Sequence, residues 1–193
     1  MSDIDSLVER CQRGELAAFT DLFRLYESQA YRLAVTILHD EQDAEDAVQD
    51  VFLRVFERVK DYRGQSTFKT WFTSIVVNTC RDKLRRRKVR RALSLDWIRG
   101  KASAHDVPGE VDQRQQQEQL WQMVNSLDEK YRLPIILHYV ERLPCQEVAQ
   151  ILEIPTSTVY SRLNTAREKL RAASQSAGQP ISQSASQAEM LTS

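Results

Sequence analysis

The sequence predicts an all-α protein made of two small helical domains joined by a flexible linker. Three observations carry this reading. No proline precedes Pro108, and Gly14, Gly64 and Gly100 are the only glycines before it. Apolar residues recur at helical rather than alternating spacing. Residues 96–117, DWIRGKASAHDVPGEVDQRQQQ, then lose that period and collect Gly, Pro, Ser and Gln, the composition of a linker. The expected boundaries are 1–95 for the first domain, 96–117 for the linker and 118–173 for the second domain. The tail 174–193, SQSAGQPISQSASQAEMLTS, is low in complexity and poor in apolar anchors. It cannot bury enough surface to offset the entropy of ordering it, so disorder is expected there.

Composition narrows the class. At 193 residues and 41% hydrophobic content the chain can build one medium core or two small ones. Its apolar runs fall far short of a membrane span, and the start MSDIDSLVER is acidic where a secretion signal would be basic and then apolar. A cytoplasmic protein with no membrane insertion is expected. Cys11, Cys80 and Cys145 are far apart and form none of the close pairs used by metal or redox sites, so they read as reduced core thiols.

A formal net charge of zero hides strong segregation. Residues 1–60 carry 7 basic and 13 acidic side chains, whereas residues 61–101 carry 12 basic and 3 acidic. Such sorting points to a polyanionic partner for the basic part and a different partner for the acidic part.

The acidic part is densest in residues 43–59, DAEDAVQDVFLRVFERV. There Ala44, Ala47, Val48, Val51, Phe52, Val55 and Val59 follow helical spacing and form a core face. Asp46, Gln49, Asp50 and Leu53 form a second stripe, with a large apolar residue standing among acids. A scattered exposed leucine is one reading of it, and a docking face for a basic helix is the other. A metal site is disfavoured, because the carboxylates lack the glycine turn of a calcium loop and no histidine shares their face. With no phosphate-binding glycine loop and no nucleophile elbow either, an enzyme is not expected, nor any cofactor or metal.

The basic part follows a loop, YRGQSTF, and an aromatic helix in which Phe68, Trp71, Phe72, Ile75, Val76 and Thr79 share a face. That helix ends in RDKLRRRKVRR, residues 81–91, with eight Lys and Arg against one Asp. A solvated helix end or an acidic-membrane patch would explain the cations alone. Beside aromatics, Asn78 and a polar loop they also suit a surface that holds a nucleic-acid backbone while the loop captures an unstacked base.

The second domain contains PCQEVAQILEIPTSTVYSRLNTAREKLRAA, which has helix-turn-helix grammar. Val148, Ala149 and Leu152 lie on a short helix, EIP breaks it, and Val159, Leu163, Ala166 and Leu170 form one stripe of the next helix. Opposite that stripe stand Ser157, Ser161, Asn164, Thr165 and Glu168, flanked by Tyr160, Arg162, Arg167 and Lys169. Short polar groups toward bases and cations toward phosphates suit a major groove, and a helical hairpin with a solvated face is the plain alternative. The turn position often taken by glycine is Glu153, where a left-handed backbone would cost roughly 1 kcal/mol.

DAEDAVQDVFLRVF, FKTWFTSIVVNTCRDKLRRRK and LPCQEVAQILEIPTSTVYSRLNTAREKLR, in that order and spacing, resemble the extracytoplasmic-function class of bacterial RNA polymerase sigma factors in the sigma-70 family. The resemblance spans about residues 5–172. It implies that the first domain is sigma region two and the second is sigma region four. It implies that Asp46, Gln49, Asp50 and Leu53 dock on core RNA polymerase. The minus ten element of promoter DNA would be melted and held by Arg63, Gly64, Gln65, Ser66, Lys69 and Asn78. Arg81, Arg85, Arg86, Arg87, Lys88, Arg90 and Arg91 would grip its phosphates. The minus thirty-five duplex would be read by Thr156, Ser157, Thr158, Tyr160, Ser161, Arg162, Asn164, Thr165 and Arg167. A stress-response transcription factor without catalysis follows from the resemblance, with an anti-sigma factor as a further potential partner. Glu153 departs from the family pattern, as does Thr165, where arginine is common, and the tail after Ala173 has no counterpart in the family's minimal form. The competing class is a stand-alone helix-turn-helix regulator that binds duplex DNA as a dimer.

Overall fold

The structure is a computed structural model that describes residues 3–93 and 111–176. It divides into two compact units, Met1–Gly100 and Lys101–Ser193. The described residues of both are helical, with no strand among them.

The first unit runs α1 (Asp3–Gln12), α2 (Leu16–Leu38), α3 (Glu41–Arg58) and α4 (Phe68–Leu93). A single turn at Gly14, whose φ of +85° suits a residue without Cβ, separates α1 from α2. Glu15 fastens this corner by accepting from Arg10 at 2.8 Å and Arg13 at 2.9 Å. Those cations hold its carboxyl below the usual carboxylate range. α3 is started by Asp40, whose side chain accepts the Asp43 backbone N–H at 2.8 Å and so satisfies a donor that helix geometry orphans.

The core is built from i, i+4 stripes. α2 buries Leu22, Tyr26, Ala30, Leu33 and Ile37, and α3 buries Ala44, Ala47, Val48, Val51 and Val55. α4 is enclosed nearly all round between Phe68 and Cys80, because Thr70, Thr73 and Val77 are buried along with the expected apolar face. Aromatic rings fill the centre. Phe72 is wholly buried with Tyr26 at 4.7 Å and Phe52 at 5.7 Å between ring centroids. Large-to-small changes at such a site cost about 3–5 kcal/mol.

The second unit runs α5 (Val111–Ser126), α6 (Glu129–Ile135), a wide π-type turn (Ile136–Val140), α7 (Cys145–Leu152) and α8 (Thr156–Ser176). Pro134 lies inside α6. Lacking an N–H, it cannot complete the α-helical ladder, and just after it the bonds lengthen to a five-residue step, Glu141 N–H to Ile136 O at 3.1 Å. Ile136, Leu137, Val148, Ile151, Val159, Leu163 and Ala166 form the core.

Two expected boundaries shift. α5 begins at Val111, so residues 111–117 of the expected linker are helical. Gln and Arg are adequate helix formers, and VDQRQQQ needs no apolar stripe to form a helix. α8 continues to Ser176, and Ser174 is buried because it extends the stripe of Ala166 and Leu170 by one turn. The expected tail therefore loses residues 174–176, and its remainder, 177–193, lies outside the described residues. So does the rest of the linker, through residue 110.

Candidate nucleic-acid interface

α3 places Asp46, Gln49, Asp50 and Leu53 together on one side, as the stripe predicts. Leu53 is 63% exposed, too open to be core, and Phe56 one turn on is 51% exposed. Phe56 widens the apolar patch and packs on Phe19 of α2 at 4.7 Å between centroids. Leu53 and Phe56 therefore offer apolar area beside carboxylates.

The YRGQSTF loop is pre-shaped. Gly64 takes a left-handed φ of +68°, and the Tyr62 hydroxyl donates to the Ser66 carbonyl at 2.7 Å, closing the turn. Gln12 ties the loop's base to α1 by donating to Val59 O at 3.1 Å and Tyr62 O at 2.9 Å. The Thr67 hydroxyl caps α4 by accepting the Thr70 N–H at 3.1 Å. Arg63, Gly64, Gln65 and Lys69 are exposed, and Ser66 and Asn78 are half-buried. Trp71 is half-buried between Tyr62 and Phe68, with centroids 5.3 and 5.4 Å away, so one part of its ring system is committed to the core.

The basic run is not uniformly free. Continuing the buried stripe of α4 from Phe72, Val76 and Thr79 by helical steps leads to Lys83 and Arg87, which face α3. Lys83 lies 3.6 Å from Asp50 and 3.8 Å from Asp46, and its side chain is only 18% exposed. Arg87 reaches Asp43 at 3.6 Å, Arg85 holds Asp82 at 2.9 Å, and Arg54 joins Asp82 at 3.4 Å. Along α3 these partners run in the opposite order to their positions along α4, so the two helices are antiparallel. Arg86, Lys88 and Arg90 are exposed and join no ion pair among the described residues. Arg81 is exposed but has a partner. The Arg91 side chain lies outside the described residues.

In the second unit α7 ends in a left-handed turn at Glu153, φ 54° and ψ 44°, the strained geometry expected there. Ile154 N–H donates to Ala149 O at 3.1 Å and Glu153 N–H to Gln150 O at 3.3 Å, which closes the helix end and offsets the strain. α8 then presents Ser157, Ser161, Asn164 and Glu168 away from its buried stripe, with Tyr160 60% exposed. Thr156, Thr158, Arg162 and Thr165 are half-buried along the flank. Asn164 donates to Glu168 at 3.0 Å, and Arg167 stacks over the Tyr139 ring at 5.9 Å. Spacing alone missed three residues: Lys83, Phe56 and Tyr139. The first two were legible as helical continuations of stripes, whereas the third depends on how α8 packs against the turn after α6.

Two family models match the chain: sigma-70 region 2 over residues 22–90 and sigma-70 region 4 over residues 117–170. The RNA polymerase sigma-H factor of Pseudomonas aeruginosa is 32% identical over 173 residues, covering 85% of this chain and 90% of the relative. An extracytoplasmic-function sigma-E factor of Escherichia coli is 31% identical over 174 residues, covering 85% and 90%. Among solved structures, the sigma factor RpoE of Bartonella quintana, crystallised with the anti-sigma factor NepR, superposes with a TM-score of 0.67 at 22% identity, covering 81% of this chain and 96% of that one.

Proposed function

The chain belongs to the extracytoplasmic-function class of the sigma-70 family of RNA polymerase sigma factors, and from that premise we propose which residues bind polymerase and which bind promoter DNA. As a sigma factor it directs transcription initiation, which sets aside the stand-alone dimeric regulator. α3 docks on core polymerase through Leu53, Asp46, Gln49 and Asp50. The observation that carries this is the 63% exposure of Leu53, beside carboxylates and the exposed Phe56, on a helix whose opposite face is buried in the core. An apolar anchor ringed by charge gains burial energy and orientation from a partner of opposite charge.

The loop 62–67 and α4 hold the melted minus ten strand. Exposed Arg63, Gln65 and Lys69 meet the strand at the loop, and Arg86, Lys88 and Arg90 meet phosphates. α8 enters the major groove of the minus thirty-five element, with Ser157, Tyr160, Ser161 and Asn164 toward base edges and Arg162 and Arg167 toward the backbone. No step requires catalysis by this chain, because about a few kcal/mol of unstacking per extruded base is offset by pocket and phosphate contacts. Its site of action is the cytoplasm, where polymerase works. An anti-sigma factor, such as the one held by the Bartonella protein, would silence it by covering the Leu53 surface.

The test is reconstitution. The full chain added to core polymerase is expected to comigrate with it and to start transcripts at a discrete set of promoters, while the chain alone binds duplex DNA weakly. Tight operator-like binding by the chain alone, with no comigration, would overturn the assignment.

A further inference from the structure

We infer that Lys83 is a positioning residue that couples the two surfaces, holding Asp46 and Asp50 in the free chain and passing to promoter phosphate when polymerase takes those carboxylates. This rests on the reading that α3 docks on polymerase and α4 on DNA.

The geometry behind it is a shared cation. The Lys83 ammonium lies within ion-pair distance of two carboxylates one turn apart on α3, 3.6 Å and 3.8 Å away. Its stem is packed, with 18% of the side chain exposed, whereas the Asp46 and Asp50 side chains are 63% and 45% exposed. The carboxylates can therefore meet a partner while the ammonium stays behind. Arg87 repeats the arrangement one turn further along, 3.6 Å from Asp43. Two cations of a run otherwise suited to DNA are thus committed to acids of the docking helix.

A cation on the partner that approaches Asp50 competes directly with Lys83. Once displaced, the ammonium can turn about the outer torsions of its packed stem, one helical turn from the exposed Arg86. It then adds to the positive surface that α4 offers to a phosphate backbone. Linkage makes the effect reciprocal, so DNA on α4 strengthens docking by the same factor as docking strengthens DNA binding. The free chain is held back from DNA by its own acids.

The test uses the full chain without polymerase and a fluorescent single-stranded oligonucleotide across a salt series. Asp46→Asn with Asp50→Asn should raise affinity about five-fold at low salt, within the range typical of coupled sites. It should also steepen the salt dependence by about 0.7, one added phosphate contact on a single strand. Glu45→Gln with Glu57→Gln removes the same charge from exposed positions on the same helix and should leave the slope unchanged. Adding Lys83→Met to the Asp46, Asp50 variant should abolish the gain, while Lys83→Arg in the otherwise native chain should behave as the parent. Should the double substitution lose helicity, Asp50→Asn alone carries the same test, because that carboxylate is the nearer one.

No gain, an equal gain in the Glu45, Glu57 control, or a gain that survives Lys83→Met would overturn the inference. The docking reading is scored separately, by competition of Leu53→Ala with the parent for core polymerase. Its failure would leave the oligonucleotide result standing as a purely internal effect.

Discussion

Arg54 and Asp82 join α3 to α4 at a half-buried crossing, where the guanidinium lies 3.4 Å from the carboxylate and also donates to the Thr79 hydroxyl at 3.1 Å. The two side chains are 28% and 33% exposed, so water screens the pair only in part. Its value lies between that of a surface pair and that of a buried one. Arg54→Ala should destabilise the first unit by about 1–2 kcal/mol. A double-mutant cycle with Asp82→Ala, followed by urea denaturation, should return a favourable coupling. Strict additivity would mean the pair contributes only packing.

The exposed anchor behaves oppositely. Leu53→Ala removes little buried area in the free chain, so its stability should stay within about 0.5 kcal/mol of the parent. Binding to core polymerase should weaken by about 1–3 kcal/mol if Leu53 fills a pocket there. Phe56→Ala should weaken binding too, with a small stability loss from its packing on Phe19. Competition against the parent chain for core polymerase, with circular dichroism as a fold check, separates the two effects.

On α8 the base-reading and phosphate-holding groups should separate. Asn164→Ala or Ser161→Ala should change which minus thirty-five sequences are used, whereas Arg167→Ala should lower all of them alike. Tyr139→Leu should reproduce part of the Arg167 effect, because the ring fixes where the guanidinium points. A promoter library is the measurement, and equal shifts in preference for Asn164→Ala and Arg167→Ala would refute the division.

Burial pushes the Cys80 thiol up to about 12 from an ordinary 9.0, and raises that of Cys11 as well. The protonated form is the one the fold favours. Its contribution to stability is therefore complete below pH 9 and lost as pH rises from there toward 12. Cys80 in the folded chain should accordingly react slowly with a thiol reagent at pH 8, and the chain's denaturation midpoint should fall between pH 9 and 11. Cys80→Ala should flatten that fall. Fast labelling of Cys80 in the folded chain would show that the core around it opens readily.

Where local rules and packing agree, the fold was legible. Glu153 illustrates this, because EIP between two apolar-periodic segments requires a left-handed turn whatever residue supplies it, and the backbone shows φ 54° there. That Asp46, Gln49, Asp50 and Leu53 share one open side of α3 was legible for the same reason. The fate of the charges was not. Composition sorts acids from bases along the chain, but it says nothing of whether they meet, and Lys83 meets Asp46 and Asp50 only because α3 and α4 are antiparallel. The start of α5 escaped because helix propensity without an apolar stripe leaves no periodic signal.

The basic run divides by its partners. Arg86, Lys88 and Arg90 are exposed and in no ion pair among the described residues, so they should hold the promoter phosphates in the holoenzyme. Neutralising one such cation should flatten the dependence of log affinity on log salt by roughly 0.7–0.9. Arg86→Ala with Arg90→Ala should thus lower the slope on ordinary and pre-melted promoters alike, with the deficit greatest at low salt, where counterion release favours the parent most. Arg85→Ala should change it less, because that guanidinium already spends part of its charge on Asp82 at 2.9 Å. Asn78→Ala should lower open-complex formation with the slope intact, since a half-buried amide acts through hydrogen bonds rather than counterions. Open-complex formation measured across a salt series decides the matter. A slope unchanged by removing Arg86 and Arg90 would reduce residues 81–91 to a solvated helix end held to α3 by Lys83 and Arg87.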